Sequence, residues 1–203
     1  AVASLPGVKF TDVNLLQSIT AVPNDGLYSY QWHYPAMSLP SAWDVTTGSD
    51  AVVVAIIDTG VVPHPQLTPR LVDGIDMISQ ASIANDGGGR DDDPTDPGRD
   101  QPQGKSSWHG THVAGTIGAA TNDGAGVAGV TWRSKLLPVR CLGKGGGTLF
   151  DIAAGIVWAT GGTVPGVRAN ATPAKVVNMS LGGDSEPVDT YQDAIDGAVS
   201  RGA

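Results

Sequence analysis

Asp58 and His109 have the residue types and the surroundings of a general base and the carboxylate that orients it. Asp58 ends an apolar, β-branched run, so its carboxylate is expected at the end of a buried strand. His109 opens a helical pattern in which Gly110 and Gly115 would let the helix pack closely against other backbone. In such a pair the carboxylate holds one ring nitrogen, while the other nitrogen takes a proton from a hydroxyl nucleophile.

His112 follows His109 by three residues and falls on the same side of the predicted helix. Two histidines at this spacing are a possible metal pair. No third histidine, cysteine or acid stands nearby in a zinc-binding pattern, so the sequence favours acid–base chemistry over zinc.

Apolar runs that alternate with helical patterns predict the scaffold for these residues. The runs are residues 51–57, 136–142 and 175–181, and the helical patterns are 109–120, 149–160 and 190–201. Continuous apolar runs are typical of strands buried on both faces of a parallel sheet, and their alternation with helices indicates βαβ units. We predict a doubly wound α/β fold with a mainly parallel sheet, helices on both faces, and reactive groups at the carboxyl ends of the strands.

Residues 84–107 form a long acidic loop in which six aspartates lie among glycines and prolines. Asp91, Asp93 and Asp96 have the near-alternating spacing with which oxygen ligands wrap a hard cation. A solvated acidic loop is the alternative. We expect a structural calcium ion here, because a segment with this much charge repulsion gains little from folding without a cation.

Composition and charge exclude several classes of partner. The 203 residues carry a formal net charge of −8, which argues against nucleic acid and against anionic membrane surfaces. No apolar run is long enough to span a bilayer. The single cysteine, Cys141, allows no internal disulfide and is expected to be a small buried hydrophobe.

Three segments, in this order, resemble the motifs of the subtilase family of serine proteases. They are AIIDTG at residues 55–60, HGTHVAGT at 109–116 and NMSLGG at 178–183. The resemblance covers nearly all of residues 20–203 and is nearest to the bacterial extracellular members. It implies a secreted endopeptidase that hydrolyses peptide bonds of proteins through an acyl-enzyme, with Asp58 as the orienting acid and His109 as the base.

The resemblance also implies a groove in which a peptide substrate lies between two strands, bound by main-chain hydrogen bonds. The residues implied for its two walls are Ser180, Leu181 and Gly182 on one side and Gly145, Gly146 and Gly147 on the other. The glycine run by itself also fits a flexible turn. The loop at residues 122–124 resembles one that often binds calcium in the family, although it too fits an ordinary turn.

The serine nucleophile and the oxyanion asparagine lie beyond the position of residue 203 in the family. The predicted sheet is therefore expected to be incomplete in this chain, and a downstream segment or a second chain would supply the rest. Residues 1–20 resemble the C-terminal end of an inhibitory propeptide, and residues 21–203 the N-terminal part of the catalytic domain. A non-catalytic, subtilase-like peptide-binding module or an inactive fragment is the alternative, and an amidase or esterase of unrelated geometry is a third possibility.

Overall fold

A computed structural model describes residues 21–183 and 188–203, together with residues 7 and 9. The segment predicted to be the end of a propeptide, residues 1–20, lies outside the described residues except for these two, so that assignment stays a prediction. No helix in the described part of the chain has the length and apolar character needed to cross a membrane.

The described residues form four strands and six helices, with short 3-10 helices at Tyr28–Tyr30 and Pro102–Gly104. The strands are β1 (Val53–Asp58), β2 (Ile75–Asp76), β3 (Lys135–Arg140) and β4 (Val176–Asn178). The helices are α1 (His33–Ala36), α2 (Leu39–Val45), α3 (Ala81–Ala84), α4 (His109–Gly118), α5 (Leu149–Ala159) and α6 (Asp189–Ser200). The three long helices lie within two residues of the predicted patterns.

The strands form one sheet in the order β2-β3-β1-β4, and every pairing is parallel. The central strand is β1, which ends at Asp58 beside Arg140 of β3. β4 is shorter than the apolar run at residues 175–181 because only its three residues pair, and they pair with β1 alone. The side chain of Val176 is half exposed at this edge.

Helices cover both faces of the sheet, as the alternating side chains of β1 show. Ala55 and Ile57 belong to the core cluster that includes residues of α5 and α6, whereas Val54 and Ile56 pack with Ala114 of α4. Burying an isoleucine side chain stabilises a fold by about 1.5–3 kcal/mol, so both layers hold β1 firmly. The predicted α/β class with a parallel sheet and helices on both faces is confirmed.

A buried ionic cluster lies beside the end of β1. Arg140, the last residue of β3, is almost fully buried, and its guanidinium hydrogen-bonds to the carboxyl groups of Asp76 and Asp86. Burial raises the pKa of the Asp76 carboxyl to about 7, although the Ile78 amide and the Arg140 guanidinium act in the opposite direction. The folded protein therefore holds a proton on Asp76 over a pH range in which the unfolded chain has released it.

This proton makes stability depend on pH with a defined sign. An unfolded aspartate has a pKa of about 3.9, so the folded state binds more protons between about pH 4 and the folded pKa of about 7. The contribution of Asp76 to the free energy of unfolding falls as pH rises through this window. Melting temperatures of the full-length protein between pH 5 and 8 should show the decline, and Asp76→Asn should flatten it. An identical slope in Asp76→Asn would contradict the assignment, and Asp92→Asn is the matched control.

Candidate active site

Asp58 and His109 form a hydrogen-bonded pair at the carboxyl end of the central strand. The His109 Nδ1 atom lies 2.8 Å from Asp58 Oδ1 and 3.0 Å from Oδ2. The Asp58 side chain is fully buried, and its Oδ1 also accepts a 2.7 Å hydrogen bond from the Thr59 amide. Because a carboxylate only accepts, Nδ1 is the ring nitrogen that carries the proton, which leaves Nε2 as the acceptor.

The other edge of the imidazole is open. The His109 side chain is 46% exposed, and within residues 21–183 and 188–203 no serine hydroxyl hydrogen-bonds to Nε2. The pair can therefore accept a proton from a group that approaches from solvent or from another segment, and the buried carboxylate would stabilise the imidazolium that results.

Helix α4 reaches this position because Gly110 has no side chain. A Cβ atom on Gly110 would lie 2.3 Å from the Gly60 carbonyl oxygen and 3.1 Å from Asp58 Oδ1, so the helix start touches the end of β1 directly. The expectation for Gly115 was wrong. A Cβ there would meet nothing within 4 Å, because this part of α4 borders a cavity of about 450 Å³ that His112 also lines.

Asp91, Asp93 and Asp96 do not cluster in the described residues, and their binding of calcium stays a prediction. In the described residues, no group of three or more His, Cys, Asp or Glu side chains lies close enough to hold a metal ion. Asp91 and Asp93 instead accept hydrogen bonds from the amides two residues further on, in successive turns. Asp96 is buried under the site, where it accepts hydrogen bonds from the Thr59 hydroxyl and the Gly98 amide. Burial raises the pKa of this carboxyl.

Two unpartnered oxygens lie beside the loop at residues 122–126. Asp25 Oδ1 and Gln66 Oε1 are buried and have no hydrogen-bond partner among the described residues. Asp25 Oδ2 accepts a 2.8 Å hydrogen bond from the Asn122 amide, and Gln66 Nε2 donates to Asp123 at 2.9 Å. Amide and carboxylate oxygens are ligands that calcium prefers, so both orphaned oxygens have the chemistry of calcium ligands.

The two expected walls of the groove follow the strands on either side of β1. Residues 145–147 follow β3 and residues 180–182 follow β4, so the topology places them on opposite sides of Asp58. Gly145 and Gly146 have positive φ angles of 81° and 114°, and both have open space where a side chain would stand. Gly147 differs, because its Cβ would lie 2.3 Å from the Cys141 carbonyl oxygen. On the other wall, Ser180 and Gly182 are exposed and Leu181 packs against the core.

Sequence reasoning missed three residues that the structure brings close to the Asp58–His109 pair, namely Thr59, Asp100 and Ser107. Thr59 donates to Asp96 and accepts from the Gly110 amide, and Ser107 pairs with the buried Asp100 next to His109. The position of Thr59 beside Asp58 was the one available signal. Nothing in the local sequence distinguishes Asp100 from the exposed aspartates, because its burial depends on contacts across the loop.

Comparisons with a family model, with curated proteins and with solved structures agree on one family of proteases. The model of the subtilase family matches residues 49–203. An extracellular protease of Xanthomonas campestris is 48% identical over 98% of this chain, and an extracellular basic protease of Dichelobacter nodosus is 43% identical over all of it. A solved protease structure from Pseudoalteromonas arctica is 52% identical, with a TM-score of 0.86 over 90% of this chain and 57% of the other. The chain spans 37% and 36% of the length of the two curated relatives.

The two glycines of α4 provide a matched test of the close contact. Gly110→Ala should lower the free energy of unfolding by about 1–3 kcal/mol, because the new methyl group displaces α4 from the end of β1. Gly115→Ala, in the same helix but facing open space, should raise it by up to about 1 kcal/mol through helix propensity. Urea unfolding of both variants measures the difference, and equal effects would mean that the contact at Gly110 does not restrict the helix.

Proposed function

The chain belongs to the subtilase family, and from this we propose that it carries the base and the orienting acid of a secreted serine endopeptidase. The observation that supports this most directly is the pairing of His109 Nδ1 with the fully buried carboxylate of Asp58 at 2.8 Å, with the rest of the ring accessible. The names of the relatives, which describe extracellular proteases, favour secretion and protein substrates.

In the proposed reaction, His109 Nε2 takes the proton of a serine hydroxyl as the serine oxygen attacks the peptide carbonyl. Asp58 stabilises the imidazolium while the tetrahedral intermediate exists. His109 then gives its proton to the leaving amine, which releases the first product and leaves an acyl-enzyme. Water, deprotonated by the same nitrogen, hydrolyses the acyl-enzyme and restores the serine. The serine and the oxyanion asparagine would come from the remainder of the catalytic domain, as a downstream segment or a second chain.

The peptide would lie across the carboxyl ends of β3 and β4, between residues 145–147 and 180–182. The open space at Gly145 and Gly146 supports close approach of a substrate main chain, whereas the packed Gly147 would stabilise the turn behind it. Residues 1–20 would be the end of a propeptide that inhibits the enzyme until it is removed, and residues 21–203 would belong to the catalytic domain.

A non-catalytic module that binds peptides in the same groove is the second candidate. The exposed groove walls support it as well as they support an enzyme. The buried Asp58 favours the enzyme, because a binding module gains nothing from a desolvated carboxylate placed behind an exposed histidine.

We also propose one structural calcium ion, bound by Asp25 Oδ1 and Gln66 Oε1 with oxygens of the loop at residues 122–126. The two orphaned oxygens support this position. A buried acceptor without a partner costs about 1–3 kcal/mol, which a cation would offset. The ion would tie the residues before α1 to the loop after α4 and would take no part in the reaction.

Activity tests the enzymatic proposal. The full-length protein should hydrolyse casein and be blocked by a serine-directed inhibitor, and His109→Ala should lower kcat by about 10⁴-fold or more. His112→Ala, an exposed histidine on the same helix, is the matched control and should retain activity. Residues 1–203 alone should be inactive at this rate, because the base then has no hydroxyl to activate. Full activity in His109→Ala would rule the proposal out.

Chelation tests the calcium proposal. EDTA should lower the melting temperature of the full-length protein, because an ion bound only to the folded state stabilises it by mass action. Asp25→Asn should largely abolish this response to EDTA, whereas Asp93→Asn in the acidic loop should keep it. The reverse pattern would place the ion in the acidic loop. If none of the proteins responds to EDTA, the proposal of a stabilising calcium ion is wrong.

A further inference from the structure

Helix α4 begins with a residue that cannot cap it. Trp108 occupies the N-cap position and its side chain makes no capping hydrogen bond. Its φ angle is 52°, in the left-handed region that L-residues rarely adopt. The first amides of a helix have no partner within the helix, so those that follow Trp108, beginning with His109, need acceptors from elsewhere.

The first of these acceptors comes from the end of the central strand. The Gly110 amide donates a 3.0 Å hydrogen bond to the Thr59 hydroxyl oxygen. That hydroxyl donates its own proton to Asp96 Oδ2 at 2.7 Å. The Thr59 amide meanwhile donates to Asp58, so a single residue contacts both the orienting carboxylate and the helix that carries the base.

The second acceptor has the same chemistry and a different origin. The His109 amide donates to the Ser107 hydroxyl oxygen at 3.2 Å, and that hydroxyl donates to Asp100 Oδ2 at 2.6 Å. Asp100 Oδ1 also accepts the Ser107 amide at 2.8 Å. Two consecutive amides of α4 therefore each donate to a hydroxyl oxygen, and each of these hydroxyls donates its own proton to an aspartate.

Both aspartates belong to the acidic loop, and both are buried, with Asp96 4% and Asp100 7% exposed. A carboxylate only accepts hydrogen bonds, so each one fixes the direction of its hydroxyl proton and turns a hydroxyl lone pair toward the helix amide. Negative charge behind the first turn also interacts favourably with the helix dipole. These contacts connect the start of α4, which carries the imidazole, to Thr59 beside Asp58 and to the acidic loop.

We propose that Asp96 and Asp100, acting through the hydroxyls of Thr59 and Ser107, are positioning residues that hold the His109 imidazole in line with Asp58. This rests on the proposed function, since it assigns a role in the same reaction. Neither aspartate touches substrate. They restrict the conformational freedom of the first turn of α4, so that the His109 imidazole is already positioned to accept the proton of the nucleophile.

Thr59 offers a matched pair of variants for the test, made in the full-length protein. Thr59→Val keeps the shape of the side chain but removes the hydroxyl, whereas Thr59→Ser keeps the hydroxyl and removes a methyl group. Because a misplacement of about 1 Å can cost about a hundredfold in rate, Thr59→Val should lower kcat by about tenfold to a hundredfold with KM changed less than about twofold. Thr59→Ser should restore kcat to within about threefold of the parent.

Two further variants decide the outcome if Thr59→Val does not fold. Ser107 is exposed, so Ser107→Ala removes the second hydroxyl without leaving a cavity, and kcat should fall by about threefold to tenfold. Asp96→Asn cannot accept both of its present hydrogen bonds and should lower kcat, whereas Asp92→Asn, an exposed acid of the same loop, should not.

The positioning role is overturned if Thr59→Val matches Thr59→Ser in kcat, or if the losses appear in KM rather than in kcat. It is equally overturned if Ser107→Ala and Asp96→Asn both keep the parent kcat. His109→Ala separates this failure from that of the proposed function. If activity depends on His109 but the hydroxyl variants are unaffected, only the positioning role is refuted. If activity does not depend on His109, the positioning role and the proposed function are both refuted.

Discussion

A carboxylate that is fully buried at the end of a β-strand must be compensated, and the structure around Asp58 is organised by that requirement. The effective cost of burying an unpaired charge is several kcal/mol. Two hydrogen bonds to Asp58 Oδ1 offset this cost, one from the Thr59 amide at 2.7 Å and one from His109 Nδ1 at 2.8 Å. Both partners must stay in place for the strand end to be stable, so the same contacts that stabilise the fold also present an exposed imidazole on a fixed, desolvated acid.

The need to compensate the buried Asp58 carboxylate also constrains helix α4 and the acidic loop. The helix approaches closely enough only because Gly110 touches the backbone at Gly60. Its first amides then need acceptors that the left-handed Trp108 cannot provide. Thr59 at the end of β1 and Ser107 of the loop provide them. The negative charge of this segment, which looked suited to a cation, is thus used in hydrogen bonds to hydroxyls and amides. Other loop acids pair with arginines, such as Asp86 with Arg140 and Asp92 with Arg168.

Sequence patterns predicted the scaffold well because strand and helix periodicity is local. The three long helices, the parallel sheet and the meeting of Asp58 with His109 all agree with expectation. The errors lie where a residue's role depends on what packs against it. Gly115, like Gly110, precedes a threonine in α4 but borders a cavity. β4 is shorter than its apolar run because its pairing with β1 ends at Asn178. Asp91, Asp93 and Asp96 were grouped by spacing and charge, and among the described residues they form no cluster of three acids.

The sequence by itself determined the fold class, the family and the pairing of Asp58 with His109, because three ordered motifs and the position of Asp58 at the end of an apolar run are readable without coordinates. Only the tertiary structure decided which acidic residues are buried. Asp96 and Asp100 have the same side chain as Asp93 and lie in the same loop, yet they are enclosed and hydrogen-bonded to hydroxyls at the start of α4. Burial and hydrogen-bond partners arise from segments far apart in the chain, and local composition does not encode them.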